Sequence, residues 1–332
     1  MPTVYKWLTG LASIAILLIS VTAYLLQPSG SVADFKAWQY QHNAGTQHKS
    51  KLTVKFFGVS TLLFDDGNDQ ILIDGFFSRP ALSQVIFQKI HSSPELIQQL
   101  IQQYQLQRTR AVLVTHSHYD HALDIAVLGQ KLPNAKIIGS SSTLNIARGG
   151  HMAEQQLIPV VAWKAMHFGV FSITAIPSQH TPPTAVNDDL GQEIAQPLKQ
   201  PARFSAFKEG HSFDYFIEHS GQRILVKAST GAIPDQLKNI RADTLFLGIA
   251  QLSKQPAEYQ QQYLAQTLGM LKPKTVVPIH WDNFFKPLDT PLQFLPKIAD
   301  NTEESLRILI DAAGKQKSQV ILLSQPVSYS LS

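Results

Sequence analysis

Six consecutive positions, His116 to His121, hold three imidazoles and a carboxylate, in the run Thr115-His116-Ser117-His118-Tyr119-Asp120-His121. Directly before them stands Ala111-Val112-Leu113-Val114, apolar enough to be a buried strand. Four metal-ligand side chains crowded into one tight loop add little to a fold by themselves. A bound metal is the simplest reason for the pattern H-x-H-x-D-H. The chain has no cysteine, which excludes disulfides, thiolate ligands and cysteine nucleophiles together. Any metal must therefore be held by nitrogen and oxygen.

At 332 residues, with 44% hydrophobic and 16% charged side chains, the chain can bury a large core and does not have the composition of a disordered one. Its formal net charge is only +4 and no run of Lys and Arg forms a patch, so nucleic acid is not expected as a partner. The N-terminus stands apart. Trp7 to Leu26 carries no charge and follows Lys6, a pattern that predicts a transmembrane helix with the short end cytoplasmic and the remainder exported. These residues suit an uncleaved anchor in the cell membrane or a cleaved signal, Ser31-Val32-Ala33 offering the small residues a peptidase needs. The reading that follows is an anchor or signal segment at 1–27, a polar tether at 28–50 and one catalytic domain at 51–332, on the periplasmic side.

From Leu52 onward the pattern is one of short strands: Leu52 to Phe57, Ser60 to Phe64, the turn Asp66-Gly67, then Ile71 to Asp74. Ser93 and Pro94 open a helix whose Leu96, Ile97, Leu100, Ile101 and Tyr104 recur at helical spacing. A helix is expected over 121–132, strands over 135–139 and 171–176, and a long loop or insertion over 182–209. Strands return at 212–218, 223–226 and 244–247, followed by a helix at 256–271 and a strand at 275–279. Strand groups alternating with helices predict a layered α/β architecture.

The motif, with Gly58-Val59-Ser60-Thr61 and Ile73-Asp74-Gly75-Phe76-Phe77 ahead of it, resembles the metallo-β-lactamase superfamily of metal-dependent hydrolases, in its lactonase and phospholipase-D-like branch. The likeness runs from about residue 52 to about residue 285. It implies a four-layer αββα sandwich of two mixed β-sheets with the metal site at one edge. It further implies that His116, His118 and His180 bind one metal and that Asp120, His121 and His280 bind a second. Zinc is the expected metal, and iron or manganese suit the same donors. The implied reaction is hydrolysis by a metal-bound hydroxide, with Asp120 also orienting or deprotonating the nucleophile. Carboxylic ester, lactone and phosphodiester bonds all remain open, on a small-molecule or lipid-like substrate.

One departure from the superfamily's pattern matters. The aspartate that usually bridges both metals stands in a Gly-Asp-Thr context, and the corresponding run here is Val226-Lys227-Ala228-Ser229-Thr230-Gly231. Ser229 therefore replaces a carboxylate, which leaves two cations less neutralised and lowers affinity for the second. A subclass of true metallo-β-lactamases also has serine at this place, so β-lactam hydrolysis is an alternative. A non-catalytic metal-binding module is another. Lys227 and Ser229 are candidate contacts for an anionic substrate, and Tyr119 and His211 for the rim of the cleft. Trp281, Phe284 and Phe285 are candidates for an apolar wall or for core packing, and a structural role for Lys227 and a surface position for His211 are the alternatives there.

Overall fold

A computed structural model of the protein describes residues 2–41, 52–184 and 188–331, with side chains from Leu11 onward. Its strands form two sheets. The first contains β1 (Thr53–Phe56), β2 (Leu62–Asp65), β3 (Gln70–Ile73), β4 (Thr109–Leu113), β5 (Lys136–Gly139) and β6 (Leu157–Pro159). The second contains β7 (Ala165–Phe168), β8 (Phe171–Ser178), β9 (Ser212–His219), β10 (Gln222–Lys227), β11 (Thr244–Gly248), β12 (Thr275–Ile279) and β13 (Gln319–Val320). The last strand, β14 (Tyr329–Ser330), returns to the first sheet beside β1, giving the orders β14-β1-β2-β3-β4-β5-β6 and β13-β12-β11-β10-β9-β8-β7. Each sheet is mixed: the hairpin strands pair antiparallel, whereas β3 to β6 and β10 to β13 run parallel.

The central strands are apolar on both faces, and this dictates the layers. Ile71, Ile73, Ala111 and Leu113 enter the core between the sheets. Their neighbours Leu72, Val112 and Val114 enter a second core on the outer side of the first sheet. Such strands need cover on both faces. Between the sheets Phe64 meets Phe246 edge to face, ring centroids 5.6 Å apart. Outside, the first sheet is covered by helices α3 (Pro94–Gln103), α5 (Ile125–Lys131) and α6 (Ser141–Gly149). The second is covered by α7 (Ala257–Leu264) and α8 (Thr302–Lys315). The result is the expected αββα sandwich. Two short helices, α2 (Leu82–Phe87) and α4 (Tyr119–Ala122), lie in the loops above the first sheet, and α1 (Pro2–Leu25) precedes the sandwich.

Several elements differ from the sequence reading. Helix α3 begins as expected, with the Ser93 side chain accepting from Leu96 N. The helix expected over 121–132 is broken between α4 and α5, because the Asp124 carboxylate turns back to accept from Phe77 N and Ser78 N, each at 2.7 Å. Strands β6 and β7 and helix α6 were too short or too polar to read. The region read as a tether divides in two. Residues 42–51 lie outside the description, but Phe35 is buried in the inter-sheet core and Tyr40 N donates to Leu322 O at 3.0 Å. The transmembrane expectation is corrected as well: the N-terminal stretch forms α1, yet among the described residues no helix is long and apolar enough to cross a membrane.

Candidate metal centre

Loops that leave the carboxyl ends of β4, β8, β10 and β12 converge at one edge of the sandwich. They carry His116 and His118, His180, Ser229, and His280 respectively. Rigid strand ends aim the loops. Asp120 and His121 sit in the first turn of α4, with His118 at its N-cap. His116, His118 and His180 each offer a nitrogen within 4.8 Å of the others, and Asp120, His121 and His280 form a second such group. The groups adjoin, the His116 and His121 ring centroids being 3.8 Å apart. Asp120 Oδ2 lies 3.7 Å from His121 Nε2 and 3.5 Å from His280 Nε2.

The donor set suits a cation. His116 Nε2 and His121 Nε2 are buried without a hydrogen-bond partner among the described residues. Leaving such a nitrogen unsatisfied costs about 1–3 kcal/mol, a penalty that a ligated metal removes. The other nitrogen of several rings is engaged. His121 Nδ1 lies 2.8 Å from Asp74 Oδ2, His118 Nε2 lies 3.0 Å from Asp189 Oδ1, and His180 Nδ1 lies 3.0 Å from Thr181 O. These oxygens only accept, so the rings donate. That tautomer leaves His121 Nε2, His118 Nδ1 and His180 Nε2 with the lone pairs a metal needs.

Two buried frames hold the ligands. In the first, Asp74 also accepts from Thr115 N at 2.7 Å, Thr115 Oγ1 at 3.0 Å and Ser60 Oγ. In the second, His280 adopts the left-handed φ of 56° and its N–H donates to Val59 O at 2.5 Å. Val59 is itself left-handed, at φ 52°, a conformation that a β-branched side chain resists. Its N–H donates to Asp282 Oδ1 at 2.6 Å, and Asp282 Oδ2 pairs with Arg79 Nη2 at 2.8 Å. Strained backbone of this kind persists only where the surroundings over-determine it.

Electrostatics follow from the crowding. Burial, then the neighbouring His121, His180, His118 and His280, keep His116 neutral far below the ordinary imidazole range. Burial and His118 pull His180 down to about 3. Burial would raise the Asp120 carboxyl, but His121 and the hydrogen bond from His280 outweigh it and hold it well below the usual range. His280 moves up, since its bond to Asp120 and the charge of that carboxylate overcome burial. The centre thus sets an ionised carboxylate beside two imidazoles, His116 and His180, that crowding holds neutral.

A family profile described as a beta-lactamase superfamily domain matches residues 69–281, and so includes all six of these residues. The chain belongs to the beta-lactamase superfamily. No curated protein matches it by sequence. Among solved structures it is similar to Igni18, a metallo hydrolase from the archaeon Ignicoccus hospitalis, with a TM-score of 0.50, 15% identity and coverage of 85% of this chain and 99% of that one. It is similar to YhfI, a metallo-beta-lactamase fold protein from Bacillus subtilis, at 0.50, 14%, 84% and 99%. It also resembles CmlA, a diiron beta-hydroxylase from Streptomyces venezuelae, at 0.53, 12%, 85% and 54%. At such identities the likeness shows the metallo-β-lactamase fold.

The superfamily centre opens here into a cleft of about 830 Å³, with His118, Asp120, His180, Ser229 and His280 on its floor. Tyr119, Phe204, Phe284 and Phe285 form an apolar wall. Tyr119 packs edge to face with Phe76, and burial keeps its phenol neutral well above the ordinary range. Ser229 lies just beyond β10, facing the cleft as its place in the sequence suggested. Three expectations are corrected. Lys227 does not reach the cleft: it is buried beneath it, Nζ 2.8 Å from Ser178 Oγ and 3.1 Å from Asp214 Oδ2. His211 is exposed, bound to Glu193 Oε1 at 2.8 Å, and is not among the lining residues. Trp281 is fully buried between Phe56 and Phe294 and belongs to the inter-sheet core.

Sequence reasoning did not single out Asp74, Asp189, Arg79 or Asp282. For Asp74 a signal existed, an acid closing the all-apolar run Ile71-Leu72-Ile73. The other three acquire their roles only through contacts with distant segments.

Proposed function

We propose that the protein is a metal-dependent hydrolase with a dinuclear centre, His116, His118 and His180 holding one ion and Asp120, His121 and His280 the other. The observation that carries this reading is the pair of buried, unpartnered Nε2 atoms on His116 and His121, within two ligand groups at the floor of a large cleft. Zinc is the proposed metal, because a histidine-rich set tolerates its open tetrahedral geometry; iron and manganese suit the same donors. When bound, the metals would supply a nucleophile at neutral pH and polarise the scissile bond.

The protein's own side chains do the positioning. Asp74, Asp189 and the Thr181 carbonyl fix the ring orientations and tautomers of His121, His118 and His180. Asp120 stays ionised between His121 and His280, so it can accept a hydrogen bond from attacking water and orient it. Phe204, Phe284 and Phe285 exclude bulk water from one side of the cleft. With Ser229 in the aspartate's place, one ligand carboxylate faces two dications, while Lys208 and Lys254 on the cleft wall are offset by Asp188 and Asp189. That balance favours a substrate with an anionic oxygen, a phosphodiester before a neutral ester or lactone.

The test is metal analysis of the purified chain followed by hydrolysis of a phosphodiester, an ester, a lactone and a β-lactam. His118→Ala should lose the first metal and the activity together. A fully metallated chain inactive on all four would sink the hydrolase reading in favour of a binding role.

A further inference from the structure

Among the described residues most exposed large apolar side chains lie on α1 and around the mouth of the cleft, with Val161, Trp163 and Val170 elsewhere. Ile16, Leu17, Leu18 and Ile19 of α1 are each between 61% and 69% exposed. At 3.6 residues per turn, four consecutive side chains cover about 300° of the helix surface. A groove on a protein covers one face of a helix. A helix that is apolar all round needs an apolar medium on every side.

The carboxyl end of this helix is fastened to the cleft. Ile298 N donates to Leu25 O and Lys297 N to Gln27 O, both at 3.0 Å, while Ser29 N donates to Leu295 O at 3.1 Å. Lys297 Nζ sits 3.8 Å from the centre of the Tyr24 ring. A tyrosine and a lysine together at a helix end are the pair favoured at a lipid headgroup level. Leu26 and Ile298 are part of the cleft mouth, and so is Ile86 of α2, on another wall. Next to Ile86, Phe87 is 74% exposed, more than any other large apolar side chain among the described residues. The end of the helix, the rim and the cleft entrance thus adjoin, and each carries exposed apolar side chains.

We propose that this face docks on a lipid surface, with α1 and the rim residues Phe87 and Ile298 immersed, so that the cleft receives an amphiphilic substrate directly from the lipid. Its acyl portion would lie along the apolar rim and wall, and its polar, hydrolysable group would reach the metal centre. The substrate half of this proposal rests on the hydrolase reading above; the docking half does not.

The absence of cysteine makes the test direct. In the full chain, Phe87→Cys and Ile298→Cys each create one attachment site for an environment-sensitive dye. Val170→Cys is the control, exposed in the β7–β8 turn at the end of β8 remote from His180. Vesicles of phosphatidylcholine and phosphatidylglycerol should shift the emission to the blue at the first two sites and leave the third unchanged. No shift at either rim site, or an equal shift at all three, overturns the docking, and a second copy or a protein partner then covers the face. In the second arm, Phe87→Asp should slow hydrolysis of a vesicle-embedded long-chain phosphodiester about tenfold, as expected for one large apolar side chain withdrawn from lipid. Hydrolysis of a soluble short-chain phosphodiester should be unchanged. Equal rates for variant and parent on the embedded substrate overturn delivery from the lipid. Dyes that shift in a chain inactive on both substrates support the docking and overturn the hydrolase reading alone.

Discussion

Replacing Asp74 by asparagine isolates the contribution of one buried oxygen to the second metal position. Asp74 is completely buried, and its Oδ1 accepts from Thr115 N at 2.7 Å, a bond that an asparagine carbonyl can keep. Its Oδ2 faces Ser60 Oγ, Thr115 Oγ1 and His121 Nδ1. An amide NH₂ placed there turns an acceptor into a donor. The two hydroxyls can rotate to accept, but the imidazole cannot donate to a donor. It must move its proton to Nε2, the atom that faces Asp120 and His280. Metal binding then requires that proton to return without the carboxylate bond that held it, a loss of about 1.5–3 kcal/mol for a hydrogen bond to a charged group. That corresponds to a loss of about 10-fold to 100-fold in affinity, the range seen when partners of ligating histidines are removed. The assay is zinc titration in competition with a chelator, resolving the two sites, alongside thermal unfolding of the metal-free chain. The second site should weaken and the first should hold. Unchanged affinity at the second site would refute the tautomer argument, and equal weakening of both sites would reduce it to general damage.

Ser229→Asp should tighten the second metal by restoring a bridging carboxylate; unaltered stoichiometry and affinity in the same titration would show that Ser229 is wrongly aligned with that position. Lys227→Met strands the buried Asp214, whose carboxyl burial already pushes up, and should destabilise the fold by about 3–5 kcal/mol in urea unfolding. Pairing it with Asp214→Leu should recover most of that loss, and a single variant as stable as the parent would contradict the pairing. Burial raises Asp300 to about 6 from an ordinary 3.8. The folded state therefore binds more protons than the unfolded state between about pH 4 and pH 6, and stability falls as pH rises through that window, by up to about 3 kcal/mol. Asp300→Asn should flatten this slope and gain roughly 1–3 kcal/mol above about pH 7; an unchanged pH profile of unfolding would count against it.

What could be read from sequence was what is local. His116, His118, Asp120 and His121 fall within six positions, and the unbroken apolar run Ala111 to Val114 announces the strand that delivers them. His180 and His280 became candidates only through family resemblance, since a lone histidine after a strand carries little information by itself. Lys227 shows the limit. It precedes Ser229 by two residues, so period-two reasoning sends both to the same place. Yet its ammonium is captured by Asp214 on the neighbouring strand, thirteen positions away. Asp74 could be noticed as an acid closing an apolar run, but its partners, like that of Asp189, could not be read in advance. Their partners Thr115 and His118 lie 41 and 71 positions distant, and only the packing of the sandwich and the long loop brings them together.

The left-handed turn at His280 has a consequence for how the two halves of the sandwich depend on each other. His280 leaves the second sheet, but the carbonyl that receives its N–H belongs to Val59, in the corner between β1 and β2 of the first. Arg79 and Asp282 rivet that junction from both sides. Any shear of one sheet over the other must therefore drag the last histidine out of register with Asp120 and His121. Occupancy at that position acts as a clasp across the sandwich, so cation binding there should raise resistance to unfolding by mass action, in proportion to how tightly the ion is held.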